Sequence, residues 1–169
     1  MVAERGSRAG GTIEGLHFTE SREKDGAVFF ILNQWSDLTL RDNIFDGGTR
    51  GIVIQGIGDG HRNVLIENNI IKNQRTDQSV EPRGIGIFIW RTAGARVLGN
   101  VFQNIGYDDR RTWYSQAVYA SNGSAGTVIE GNVFNRIGAA AFQLRQGGEA
   151  RHNLILRQSI HSWITGEGS

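Results

Sequence analysis

The sequence predicts an all-β solenoid: a right-handed parallel β-helix of about five to six coils, aligned by an asparagine ladder. Three observations predict it. A short motif recurs along the chain, apolar residues alternate at strand spacing in three places per repeat, and helical periodicity is absent. The motif is an apolar stretch that meets an asparagine and is followed at once by two more apolar residues. Its five copies are Leu40-Arg41-Asp42-Asn43-Ile44-Phe45, Ile66-Glu67-Asn68-Asn69-Ile70-Ile71, Val97-Leu98-Gly99-Asn100-Val101-Phe102, Ile129-Glu130-Gly131-Asn132-Val133-Phe134 and Ala150-Arg151-His152-Asn153-Leu154-Ile155. A degenerate copy, Ile13-Glu14-Gly15-Leu16-His17-Phe18, has leucine in place of the asparagine. The asparagines recur after 26, 31, 32 and 21 residues, a period in the solenoid range.

The elements follow in order around one coil. Before the asparagine, the pairs Leu38 and Leu40, Val64 and Ile66, and Ala95 and Val97 have the two-residue spacing of a strand. After it come two apolar residues in a row. The larger set (Phe45, Ile71, Phe102, Phe134, Ile155) is expected inside and the set Ile44, Ile70, Val101, Val133 and Leu154 outside, as a stacked surface or a contact for another molecule. A third strand is predicted at Ala27 to Leu32, Gly51 to Gln55, Gly84 to Trp90, Gln116 to Ala120, Ala139 to Arg145 and Ser162 to Thr165. Three short strands per turn predict the β-helix, with the asparagines at one stacked corner and their amides bonded from coil to coil. Two residues earlier stand Arg41, Glu67, Leu98, Glu130 and Arg151, which predicts ion pairs of Arg41 with Glu67 and Glu130 with Arg151.

Residues 1–10 are expected to be a disordered or partial leading segment and 11–169 the β-helix domain. Both ends read as cut, since neither carries an amphipathic capping helix. Further coils of a larger parent chain, or end-to-end packing, are therefore expected. The net charge of +1 gives no overall field toward nucleic acid or an acidic membrane. There is no cysteine, so disulfide and thiol chemistry are excluded. No apolar run is long enough to span a membrane, and the opening Met1-Val2-Ala3-Glu4-Arg5-Gly6 does not read as a signal peptide.

Repeat length varies mainly between the post-asparagine strand and the third strand. That connection is short at Asp46 to Arg50, then grows to 73–83 and 104–115. Long loops on adjacent coils of a rigid stack are where a binding site is expected. Aligning Ile54, Ile87, Tyr119, Phe142 and Ile164 as core places Gln55, Phe88, Ala120, Gln143 and Thr165 outside. Ile57, Trp90, Asn122 and Arg145 then lie two further on. Phe88, Trp90, Trp113 and Tyr114 are candidates for a platform on which sugars stack, against the alternative that Trp113 and Tyr114 tuck under their own loop. Asn122, Gln143, Arg83 and Arg110 are candidate polar contacts. Asp108 and Asp109 are weak candidates for a Ca2+ site, with Arg110 and Arg111 beside them to neutralise them. The four histidines have no metal spacing and read as structural or solvent-exposed.

Across about residues 11–169 the chain resembles the pectate-lyase-like β-helix superfamily of polysaccharide lyases, polygalacturonase-type hydrolases, alginate epimerases and phage tailspikes. Neither the paired aspartates and Gly-His-Gly of the polygalacturonases nor the Asp-Pro-His-Asp of the epimerases is present. The segment Ala141-Phe142-Gln143-Leu144-Arg145-Gln146-Gly147-Gly148, with Asn153-Leu154-Ile155, is similar to the Arg-x-Gly strand of the alginate lyase and chondroitinase B family. The resemblance implies an extracellular or cell-surface protein acting on a polysaccharide, with Arg145 at the scissile sugar. It also implies a lysine base one coil earlier, where Asn122 falls, and upstream acidic calcium ligands. Asn122 cannot act as a base, and Ser115-Gln116-Ala117-Val118 offers no carboxylate. β-Elimination from a uronate needs the carboxylate neutralised and a base for the adjacent proton; Arg145 suits the first and Tyr114 or Tyr107 the second. Two functions follow: an acidic-polysaccharide-binding domain with lyase activity, or a non-catalytic scaffold or adhesin-like segment of a surface protein.

Overall fold

A computed structural model describes residues 7–8, 10–19, 26–58, 60–77, 82–107, 112–159 and 162–165. Three parallel sheets run the length of the stack. The pre-asparagine sheet joins Gly11–Glu14, Leu38–Arg41, Leu65–Glu67, Arg96–Leu98, Thr127–Glu130 and Gly148–Arg151. The post-asparagine sheet joins His17–Thr19, Ile44–Asp46, Ile70–Lys72, Val101–Ile105, Val133–Ile137 and Leu154–Ile155. The third sheet joins Ala27–Trp35, Arg50–Gly56, Ile85–Trp90, Gln116–Ala120, Ala140–Leu144 and Trp163–Ile164, with Ser7–Arg8 paired to the end of its first long strand. Each strand thus bonds to its counterparts in the neighbouring coils, which makes six coils of a right-handed parallel β-helix.

The asparagines run down one corner as a ladder. Each backbone N–H and each side-chain Nδ2 donates to the Oδ1 of the next coil's asparagine: from Asn43 to Asn69 at 3.0 and 3.1 Å, from Asn69 to Asn100 at 2.9 and 3.0 Å, and from Asn100 to Asn132 at 2.8 and 3.1 Å. Asn132 donates likewise to Asn153 at 2.9 and 3.0 Å. Each Nδ2 also donates to a carbonyl of the preceding coil, as Asn100 does to Ile66 at 2.9 Å. Asn43, Asn69, Asn100 and Asn132 are buried, so an amide with one acceptor and two donors satisfies groups that water cannot reach. The residue just before the ladder carries the turn. Gly15, Asp42, Asn68, Gly99, Gly131 and His152 all have φ between 53° and 68°, a left-handed conformation that glycine adopts freely and Asn, Asp and His tolerate best.

The core is filled by the inward rows. Phe45, Ile71, Phe102 and Phe134 are fully buried, with Phe102 stacked on Phe134 at 4.9 Å between centroids. Ile70, Val101 and Leu154 stand outside and exposed and Ile44 and Val133 partly so, which matches the division expected from side-chain size in four coils. Ile155, expected inside, is itself exposed, with no buried ring among the described residues packed over it in the last coil as Phe134 has in Phe102. The ion pairs follow the register only in part. Arg151 closes on Glu130 at 3.0 Å, but Arg41 closes on Glu14 at 2.5 Å rather than on Glu67. Strand pairing puts a carboxylate on either side of Arg41, and the guanidinium leans toward the earlier coil.

The third sheet corrects the sequence alignment in three coils. Tyr119 pairs with Phe88 and Gln143, whereas Ala120 pairs with Ile89 and Leu144. Ala120 is therefore core and Tyr119 faces out, the reverse of the expected assignment. Ile54 aligns with Ile89, not Ile87, and Ile164 with Leu144, not Phe142. At the start of this strand two consecutive residues enter the core: Ala117 and Val118 are both fully buried within it, as Ala141 is beside the inward Phe142. Glycine fills the first of these positions in two coils. A Cβ on Gly86 would fall 3.0 Å from Phe102 and 2.5 Å from the carbonyl of Ala117.

Candidate functional site

The outer face of the third sheet gathers most of the sequence-predicted residues. One row, set by strand pairing, runs Phe30, Val53, Phe88, Tyr119, Gln143. Phe88 and Tyr119 meet with ring centroids 5.6 Å apart, and the Tyr119 hydroxyl accepts a hydrogen bond from Arg145 Nη1 at 3.3 Å. That phenol oxygen is the main reason the Arg145 guanidinium holds its proton even more firmly than usual. Arg145 is otherwise exposed at the end of its strand, where its N–H pairs to the carbonyl of Ala120 at 3.0 Å. Gln143 accepts from Gln116 Nε2 at 3.3 Å, and the same amide donates to the carbonyl of Trp113 at 3.1 Å.

The described ends of the two long loops, at 82–84 and 112–115, are clasped to each other beside this face. The Thr112 hydroxyl donates to the carbonyl of Pro82, the Gly84 N–H donates to the Ser115 hydroxyl at 3.2 Å, and the Arg83 guanidinium lies 5.0 Å from the centre of the Tyr114 ring. Asp77 folds the first loop, taking the Arg83 N–H at 3.1 Å. Trp113 is 69% exposed and Tyr114 40%, so neither tucks under its own loop. Trp90 reaches the same side of the sheet and carries the Arg91 guanidinium at 4.9 Å from its ring.

Asn122 is not brought to this place. Pairing sets Ala120 against Leu144, so Ser121 is the residue one coil before Arg145, and Asn122 lies beyond it in an exposed turn where its carbonyl accepts from Arg91 N–H at 2.8 Å. The one-residue slip at Tyr119 displaced it. Tyr107 lies under the Arg136 guanidinium at 4.5 Å and does not line the face. Asp108, Asp109, Arg110 and Arg111 lie outside the described residues. Tyr119 and Arg50 are the residues that sequence reasoning missed, and the alternation of Gln116-Ala117-Val118-Tyr119-Ala120 held the signal for the first.

The described residues of this face offer no donor set for calcium, and the candidates Asp108 and Asp109 lie outside them. No group of three or more His, Asp or Glu side chains converges among the described residues. Where acidic ligands would be needed, Gln116 is buried and its amide is bonded to Trp113 and Gln143. Of the histidines, His17 and His152 are exposed, His161 lies outside the described residues, and His61 is buried with Nδ1 accepting the Trp35 N–H at 3.0 Å. Glu67 and Glu130 stand two coils apart on another sheet and form no acid pair. No helix among the described residues is long and apolar enough to cross a membrane.

What the face offers is a strip of aromatic rings and arginines on a rigid sheet, beside the clasped loop ends. Neither the curated proteins nor the solved structures gave a match to this chain. The repeat does: over residues 4–168 the chain matches the family described as the right handed beta helix region, and it belongs to that family.

Proposed function

We propose that the outer face of the third sheet binds an acidic polysaccharide. The observation that carries the reading is the contact series Phe88–Tyr119–Arg145 on one exposed sheet face. Aromatic rings offer flat apolar area for the C–H faces of sugars, and arginine offers a planar fork for a carboxylate. Gln143, Trp90, Trp113, Tyr114 and Arg83 surround the series and add polar and aromatic contacts. Isothermal titration with polygalacturonate, alginate and glycosaminoglycans, against a neutral glucan, tests it. Binding of an acidic polymer that is lost in Arg145→Gln supports the reading; no binding to any of them overturns it and leaves the scaffold or adhesin-like function.

Cleavage by β-elimination is a second reading, favoured by the Tyr119 hydroxyl beside Arg145. Tyr119, rather than Tyr114 or Tyr107, is the hydroxyl that meets this arginine. Arg145 would neutralise the uronate carboxylate while Tyr119, in its deprotonated form, takes the proton from the adjacent carbon. The bond to the leaving sugar oxygen then breaks, a carbon–carbon double bond forms, and the leaving oxygen takes the proton from the Tyr119 hydroxyl, which restores the base. Ultraviolet absorbance from unsaturated product, present in the wild type and absent in Tyr119→Phe, is the expected result. Binding without such absorbance removes this second reading and keeps the first.

A further inference from the structure

The same face carries a cleft that shares only Phe88 with the Phe88–Tyr119–Arg145 series. It encloses about 380 Å³ over the first three coils, with Phe30, Val53 and Phe88 as floor and Arg50, Arg83 and Gln55 at its sides. Its floor is apolar and its sides are cationic or amide, a combination that suits a sugar ring bearing a carboxylate. Asp77 lies 3.9 Å from Arg50.

Position makes the cleft informative. Arg50 lies at the start of its strand in the second coil, and Arg145 at the end of its strand in the fifth. Three strand spacings of ~4.8 Å across the sheet and five residues of ~3.3 Å along it separate their backbones by roughly 20 Å. The row Val53, Phe88, Tyr119, Gln143 crosses the interval between them. A disaccharide is too short to touch both arginines, while a longer linear oligomer laid diagonally over the aromatic row reaches both.

We propose that the Arg50–Arg83 cleft is a second carboxylate subsite, taking one uronate unit of the same chain that Arg145 holds, so that the face selects acidic oligosaccharides by length. This rests on the binding function proposed above. Two linked subsites convert the second contact into an intramolecular one, so affinity rises steeply once the ligand spans the interval.

The test is a calorimetric length series with di-, tetra- and hexa-uronates against the wild type, Arg50→Gln, Phe88→Leu and Arg145→Gln, each first checked for an unchanged melting curve. The wild type is expected to gain affinity sharply between the di- and hexasaccharide. Arg50→Gln and Arg145→Gln are each expected to weaken the hexasaccharide roughly 10- to 100-fold and to flatten the gain. Phe88→Leu, which keeps an apolar side chain in the floor, separates loss of the ring from loss of fold. If Arg145→Gln and Phe88→Leu weaken the hexasaccharide but Arg50→Gln does not, the cleft is no subsite, and the binding function stands without it. A preference for sulfated over carboxylated oligomers of equal length overturns the carboxylate assignment. If the wild type binds no oligomer, both proposals fall.

Discussion

The asparagine corner and the outer face of the third sheet are built from the same coils and obey opposite rules. At the corner one residue type repeats from Asn43 to Asn153, and from Asn43 to Asn132 it is buried with its amide bonded in both directions along the axis. On the face the row changes at every coil, through Phe30, Val53, Phe88, Tyr119 and Gln143. Repetition is what a stack needs to saturate buried polar groups. Variation on a stacked, solvent-facing row contributes little to the stack, and it marks where a ligand can be read.

Substitutions break this contrast in a definite order. Asn100→Ala is expected to cost most: it leaves the Asn69 N–H without its acceptor, takes one of two partners from Asn69 Nδ2 and from Asn132 Oδ1, and removes the side-chain donor to the Ile66 carbonyl inside the stack. At about 1–3 kcal/mol for each buried group left unpaired, a loss of about 3–5 kcal/mol by urea denaturation is expected. Asn153→Ala, at a half-buried rung, is expected to cost clearly less, and equal costs would deny that burial gives the ladder its value. Arg145→Gln reverses the pattern, with polysaccharide binding falling roughly 10- to 100-fold and the denaturation midpoint unmoved.

A smaller effect is expected from pH. Burial holds the His61 imidazole below its ordinary pKa, against opposing backbone hydrogen bonds. The unfolded chain therefore binds the proton more readily than the folded one. The stability that depends on neutral His61 is present above about pH 6.5 and is lost as pH falls below that value. Melting temperatures taken between pH 7.5 and 5 should decline, and His61→Gln should flatten the decline. The smallest effect is expected at Arg41. Its pair with Glu14 is open to water, so Arg41→Gln should leave melting unchanged, and any shift should shrink in high salt.

The ladder, the three strands per coil and the inward aromatic row were legible because each repeats, and an error in one coil is visible against the others. The face was legible only in outline. Gln116-Ala117-Val118-Tyr119-Ala120 has small or medium residues on both sides of Tyr119, so alternation alone did not say which side was core. The corner where Ala117 and Val118 both enter the core broke the two-residue rule and shifted Tyr119 by one. From that slip came the misplacement of Asn122 and the omission of Tyr119. Arg50 stayed hidden for another reason. It opens a strand whose apolar pattern begins after it, and only the cleft between coils gives it a neighbour in Arg83.

Because each asparagine donates to the next in one direction, every coil presents the same acceptor below and the same donors above. A coil is therefore an exchangeable unit of length. Inserting a second copy of the residues between one rung and the next, as from Asn69 to Asn100, rejoins like with like at the corner while setting Arg50 and Arg145 one strand spacing further apart. The ladder in this chain acts as a graduated scale: chains lengthened by whole coils would change the size of the acidic oligomer that fits best, one step at a time.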